Sequence, residues 1–355
     1  MFRKIAFKYC LLRNGAFYAL LKADMSKTPT IRMDDSGEIK TSFSGTFSPE
    51  AVDVDGNMMA IDWLTDEIQP VMVIDGVDYP LGVFMTAKPK LTQKMNTSRV
   101  DVQCFDRGWR VRDTRSATLL YWPSGTLYLD AIKQLLAAAG IKTVFSTPTD
   151  ATFSEAREDW KIGESYLTVI NDLLREINYK PLWFDATGAA VLEPVSVPTA
   201  GNIKQIFDSK DPATMVTPEL SRESDYYEAP NVFIVCCANP DKNGNMVAVA
   251  KNENPQSPLS VQRRGREIVS VQNVNNIASQ TALQAHADWL RNKSLMTGEK
   301  LTITTGLRHG FGVAETVGVV YDDLTAIGLE HKYSMELQVG GRMTHTIERV
   351  IYNLE

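Results

Sequence analysis

Between Ser165 and Pro194 the spacing of apolar residues changes from helical to extended within a few positions. Leu167, Ile170, Leu173, Leu174 and Ile177 recur at helix spacing and make one stripe fit for burial. Pro181 cannot continue that helix, so Leu182 to Phe184 reads as a strand. A hairpin should turn through Asp185 to Gly188, return through Ala190 to Leu192, and cover the stripe.

Upstream, from Phe17 to about Arg112, the pattern is mostly period two. Ile39, Phe43, Gly45 and Phe47 alternate against Ser42, Ser44 and Thr46. Asp75-Gly76 sits between apolar runs, a hairpin signal because both residues reach positive φ. Val100, Val102 and Cys104 alternate before a turn at Gly108, so this region predicts a small antiparallel β domain. After Asp113 the period changes: Leu129, Ile132, Leu135 and Leu136 share a helical face that Gly140 stops. A polar loop, TPTDATFSEAREDW, leads into the helix and hairpin described first, so residues 114–200 predict an α/β insert.

Strands then return. NVFIVCCANPDKNGNMVAVAKN reads as a hairpin whose loop holds Pro240 and Asn243-Gly244. One helix is predicted from about Ile277 to Asn292, with Leu283, Ala287 and Leu290 inward, and further strands run almost to the end. The fold class is therefore α+β and β-rich. The expected division is 1–113 for a first β domain, 114–200 for the insert, 201–224 linking back to the first domain, and 225–355 for a second β domain containing one helix.

Length agrees with this partition, because 355 residues exceed what one ordinary core supports. With 37 basic against 43 acidic residues the net charge is -6, which disfavours non-specific adhesion to nucleic acid or anionic lipid. Charged residues interrupt the apolar N-terminus, so no signal peptide is expected, and no run of about 18 apolar residues predicts a membrane helix. The four cysteines, Cys10, Cys104, Cys236 and Cys237, lack the spacings of metal sites or disulfide frameworks. Adjacent Cys236 and Cys237 should point to opposite faces of a strand and act as small apolar residues.

Candidate chemistry is sparse. None of the four histidines, His286, His309, His331 and His345, sits in a metal-ligand or catalytic spacing, and structural roles are expected for them. Asp53, Asp55 and Asn57 alternate as in a calcium loop, but Gly56 is out of register, so a tight turn is expected. Gly306, Gly310, Gly312 and Gly318 lack the Lys-Ser/Thr ending of a phosphate loop and precede a strand, which leaves them as turn formers. Glu155, Glu158 and Asp159 are the nearest approach to an acid pair, in what reads as a solvated charge run around Arg157. Arg263, Arg264 and Arg266 form the one compact basic cluster. It fits a surface loop, a protein interface or, least well in an acidic chain, a phosphate contact. No catalytic residue, cofactor or metal is expected.

The order of domains, with the motifs DGVDYPLGVF, IGESYLTVINDLLREINYKPLWFDATG, RRGREI and HKYSMELQVGGRMTHTIERV, resembles the baseplate or tail-tip hub proteins of tailed bacteriophages. The resemblance implies two tube-like antiparallel β-barrel domains with an α/β insert, assembled as a homotrimer. Such a ring adapts a sixfold tail tube to a threefold tip and leaves a channel for DNA in transit. It also implies a viral structural protein of the virion tail, assembled in the host cytoplasm. Expected partners are tail-tube or distal-tail ring proteins, the tape-measure protein and a spike or fibre protein, with no membrane partner; Arg263, Arg264 and Arg266 are the interface candidates. Two other readings stand beside it: a cell-wall hydrolase using Glu155, Glu158 or Asp159, and a carbohydrate-binding adhesin stacking sugars on Trp63, Trp122, Trp183 or Trp289.

Overall fold

The computed structural model describes residues 4–95, 97–224, 229–239, 244–255, 257–274, 280–296 and 299–350. The chain divides into two compact units. The first comprises Met1–Val197, Gly306–Val313 and Lys332–Met343; the second comprises Pro198–Thr305, Ala314–His331 and Thr344–Glu355.

The first unit begins with β1 (Ile5–Arg13) and β2 (Ala16–Ala23), joined by Asn14-Gly15 at φ 55° and 80°. Then follow β3 (Thr30–Asp34), β4 (Thr41–Val52), β5 (Met58–Ala60), β6 (Glu67–Ile74), β7 (Val77–Pro80), β8 (Phe84–Lys94) and β9 (Thr97–Asp106). Pairing runs β4-β2-β1-β6-β8-β9 and returns from β9 to β4, so six strands close into a barrel. Closure satisfies backbone groups that an open sheet would leave at its edges. The barrel interior is aromatic: the rings of Tyr9, Phe43, Phe47 and Phe84 meet at centroid distances of 5.2 to 6.2 Å. Each fully buried side chain of this size contributes about 1.5–3 kcal/mol by removal from water. The β6-β7 hairpin turns on Asp75 and Gly76 at φ 50° and 87°, as the Asp-Gly pair predicts. From far along the chain, Lys332 to Glu336 pairs antiparallel with β3.

The insert continues the same unit with α1 (Gly108–Asp113), α2 (Tyr128–Ala138), β10 (Val144–Ser146), α3 (Tyr166–Glu176), β11 (Trp183–Phe184) and β12 (Ala190–Leu192). Its strands lie in the order β10-β12-β11, with β11 and β12 making the predicted hairpin. The α3 stripe is buried at Leu167, Ile170, Leu173 and Leu174 and packs with Ile132, Leu136, Phe184 and Leu192 in a core separate from the barrel's.

The second unit holds β13 (Gln205–Asp208), β14 (Leu220–Glu223), β15 (Val232–Asn239), β16 (Gly244–Lys251), α4 (Val261–Arg264), β17 (Val269–Val274), α5 (Gln280–Met296), β18 (Glu299–Gly306), β19 (Thr316–Tyr321) and most of β20 (Leu324–Glu336) and β21 (Arg342–Val350), whose residues 332–336 and 342–343 belong to the first unit. One sheet runs β14-β18-β21-β20-β19-β13, and its β13-β19 pair is parallel. A three-stranded sheet, β16-β15-β17, packs Val235, Cys237, Ala248 and Ala250 against Leu283 and Ala287 of α5. Cys237 is buried and Cys236 half-buried, on opposite faces as alternation requires.

The chain is partitioned differently from the expected boundaries in two places. Residues 201–224 do not link back to the first domain: they give β13 and β14 to the second unit, where the β13 amides pair with β19. Conversely, Gly306–Val313 and Lys332–Met343, expected in the second domain, complete the first unit, where Leu307, Met335, Leu337 and Met343 enter the barrel core. Pro240 and Asn243, in the expected hairpin loop, lie outside the described residues, as does the expected start of α5 at Ile277.

Candidate functional site

A set of polar ties in the first unit joins the barrel to the insert. Asp106 ends β9 and is buried, its carboxylate accepting the Thr41 N–H and the Gly108 N–H, both at 2.8 Å. Burial pushes this carboxyl up to about 6, although the two amides and Lys40 pull the other way. Arg107 makes a bidentate pair with Glu67 of β6, at 2.9 and 2.6 Å, and also donates to the Gly188 carbonyl at 2.8 Å. Gly188, at φ 79°, packs so close to Val83 that an added Cβ would lie 2.8 Å from it. Lys180 bonds Glu193 at 2.9 Å and the Val313 carbonyl at 3.1 Å. The insert hairpin is thus clamped onto the barrel by backbone and charge together.

Beside this joint lies a cavity of about 30 Å³, lined among others by Asp106, Trp183, His309, Phe311 and Tyr333. That is space for about two waters, far below the several hundred Å³ of ordinary ligand sites. The Trp183 indole N–H is buried beside it without a partner among the described residues. His309 stacks on Tyr79 at 3.7 Å between centroids, which assigns that histidine a packing role.

Arg157 changes the meaning of the SEAREDW segment. Glu155 and Glu158 are exposed as a solvated run requires, but Arg157 is buried. Its guanidinium grips Glu176 at 2.6 and 2.9 Å and bonds Asp159, while lying 5.3 Å from the Phe153 ring and 5.0 Å from the Trp160 ring. Burial works against this charge, and the Glu176 and Asp159 carboxylates outweigh it, so the guanidinium pKa is raised. Asp159 is occupied as a counter-ion, and the segment is pinned to α3. Trp122 and Trp183, offered above as sugar platforms, are buried; Trp63 and Trp289 are half-buried, and Trp289 stacks with His286.

In the second unit, His345 lies between Glu330 and Thr305 on three neighbouring strands, β20, β21 and β18. Its Nδ1 bonds the Glu330 carboxylate, and its Nε2 lies 3.0 Å from the Thr305 hydroxyl. Carboxylate, imidazole and hydroxyl follow one another as in a nucleophilic relay. Yet none of the three is more than 1% exposed, so no substrate reaches the hydroxyl. Burial raises the Glu330 pKa and the imidazole lowers it in part. The arrangement is a polar rivet inside a sheet.

Arg263 and Arg264 end the short α4, capped by the Ser260 hydroxyl, which accepts from Arg263 N–H at 3.3 Å, and closed by Gly265 at φ 63°. Arg264 donates to the Ala229 carbonyl at 2.6 Å and the Arg266 carbonyl accepts from the Asn231 amide, while the Arg263 and Arg266 residues are exposed. The structure therefore brings the three arginines onto one surface turn. Asp53 closes the predicted tight turn by accepting from the Asp55 and Asn57 amides at 2.9 and 2.8 Å. Sequence reading passes over Asp106 and Arg107. Their signal is the acid two residues before Gly108, the position from which a carboxylate can bond a helix's first amides.

No protein-family model and no curated protein matches the chain. Solved structures do. A tail protein from Neisseria meningitidis MC58 superposes with a TM-score of 0.67 at 16% identity, over 97% of this chain and 96% of that one. The 43 kDa tail protein of prophage MuSo2 from Shewanella oneidensis gives a TM-score of 0.67 at 13% identity, over 97% and 99%. The E. coli c3393 protein, a type VI secretion component described as similar to T4 tail proteins gp27 and gp5, gives 0.52 at 11%, over 100% and 78%. The fold is that of these phage tail proteins.

Proposed function

We propose that this chain is a structural hub of a phage tail tip or baseplate, working as a homotrimer. In this reading the closed barrel of β1, β2, β4, β6, β8 and β9 is one tube module, and the sheet of β13, β14 and β18 to β21 is the other. Six such modules from three copies form a ring that meets a sixfold tail tube on one side and a threefold tip on the other. DNA crosses the ring's channel, and a net charge of -6 suits passage without retention. The partners are tail-tube or distal-tail ring proteins, the tape-measure protein and a spike or fibre, within the virion tail.

The observation that carries the proposal is the likeness over 97% of the chain to two tail proteins at a TM-score of 0.67, extending across both units. A non-enzymatic role is favoured by the fate of the candidate acids: Asp159 serves Arg157, and the His345 relay is sealed. The insert, clamped through Asp106 and Arg107, serves as scaffold.

Electron microscopy of the purified chain with its ring partners tests this directly. Threefold rings are expected, and a chain that stays monomeric in their company refutes the hub. Arg263 and Arg266 are assigned to a contact with a ring partner. Their joint change to Glu should cut incorporation into rings while leaving thermal stability unchanged.

A further inference from the structure

The first unit carries two protruding segments of opposite charge that the hub reading does not use. The β8-β9 hairpin runs past the barrel: β8 pairs with β6 only at Phe84 and Met85, and β9 pairs with β4 only from Val100 onward. Beyond these points Lys88 to Leu91 keep only β9 as a neighbour, pairing with Gln103 to Val100, and Thr92 to Lys94 and Thr97 to Arg99 pair only with each other among the described residues. The three residues from Thr92 to Lys94 carry the hairpin about 10 Å past the barrel wall at the rise of a strand, while Lys88 to Leu91 lie along the β8 edge that β6 has left. Lys88, Lys90, Lys94 and Arg99 are the only charges between residues 86 and 100, so the rest of the chain carries -10. Leu91 is 53% exposed and Met95 wholly exposed.

The second segment is the rim made by the end of β4, β5 and the loop to β6. Between residues 50 and 65 the charges are Glu50, Asp53, Asp55 and Asp62, with no cation. Three large apolar side chains stand out from it: Val54 at 79%, Met58 at 60% and Leu64 at 85% exposure. Asp62 is fixed in place by accepting from the Leu64 amide and the Thr65 hydroxyl. Exposed apolar groups ringed by charge mark interaction surfaces. Here arm and rim match in charge and in apolar content, and no ion pair joins them within the chain among the described residues.

We infer that the β8-β9 arm of one copy docks on the acidic rim of a second copy, with Met95 and Leu91 meeting Val54, Met58 and Leu64. The inference rests on the hub reading and deepens it by naming a contact between copies. β4 pairs with β9 as far as Phe47 and with β5 from Glu50, so arm and rim leave the barrel at the same end. A neighbour related by rotation about an axis along the barrel therefore presents its rim at the height of this copy's arm. Two different patches on one chain make a heterologous contact, the kind that closes into rings.

Sedimentation of the full chain tests it at about 0.1 M and about 1 M salt, where the screening length falls from about 10 Å to about 3 Å. Association at low salt should weaken at least about tenfold at high salt. Lys88→Glu, Lys90→Glu and Lys94→Glu together should abolish it. Adding Glu50→Lys, Asp55→Lys and Asp62→Lys to the same chain should restore it. A chain with Met95→Cys should also crosslink to one with Leu64→Cys, a readout that does not depend on reversed charges. The inference is overturned if the arm variant associates like wild type, if the combined variant stays apart, or if wild type is monomeric throughout. Loss of duplex-DNA binding by the arm variant, with self-association untouched, would also overturn it. Rings that persist with the arm variant sink this contact alone, whereas wild-type chains that never form rings with their partners sink the hub as well.

Discussion

At the scale of single residues, charge is placed where burial makes it matter. Asp106 illustrates the sign. Its folded value of about 6 stands above the ordinary 3.8, so the fold prefers the protonated acid. The stability this contributes is fully present below about pH 4 and is lost as pH rises through about 6. The stability difference between wild type and Asp106→Asn, followed by urea titration across that window, should shift toward the variant as pH rises. Arg157 is the opposite case, a cation whose two carboxylates must stay. Arg157→Lys keeps the charge but loses the fork that grips Glu176, and should cost about 1–3 kcal/mol in denaturant titration. His345→Ala strands the Glu330 carboxyl inside a sheet and should cost about 3–5 kcal/mol, readable as a lowered melting temperature. Glu330→Gln, which keeps an acceptor for the imidazole, should cost much less.

At the scale of elements, the legibility of the fold follows the locality of its causes. The α3 helix and the β11-β12 hairpin are readable from Leu167 to Leu192 because period, Pro181 and the turn residues all act within a few positions. The Asp75-Gly76 turn is readable for the same reason. Strand β1 is passed over although Asn14-Gly15 stands between two apolar runs, because Lys8 and Arg13 break its alternation; Lys8 pairs with Asp78 and Arg13 with Asp66, both far along the chain. The destination of residues 201–224 is not readable either, since β13 has only four residues and pairs with a strand more than a hundred positions away. Arg157 shows the limit for site chemistry, because a charge run looks the same whether water or a carboxylate on a following helix answers it. Gly188 offers a check on the hairpin clamp. Gly188→Ala meets Val83 and a positive φ at once, and should cost about 1–3 kcal/mol by thermal denaturation.

At the scale of the whole molecule, two units each draw on distant parts of the chain. Neither unit is one continuous stretch of sequence, so no single cut in the chain separates them. Limited proteolysis should accordingly release no stable fragment ending near residue 197, since the barrel core would lack Leu307, Met335, Leu337 and Met343.

The hydroxyl of Tyr9 donates to the carbonyl of Leu337 at 3.2 Å, across 328 positions of sequence. A ribosome therefore makes all six barrel strands long before it makes the residues that complete their core. While translation proceeds, the six strands can close their wall, but the aromatic interior lacks Leu307, Met335, Leu337 and Met343. The core of the N-terminal part is completed only once Met343 has emerged, so termination ahead of that residue damages the region that was synthesised first.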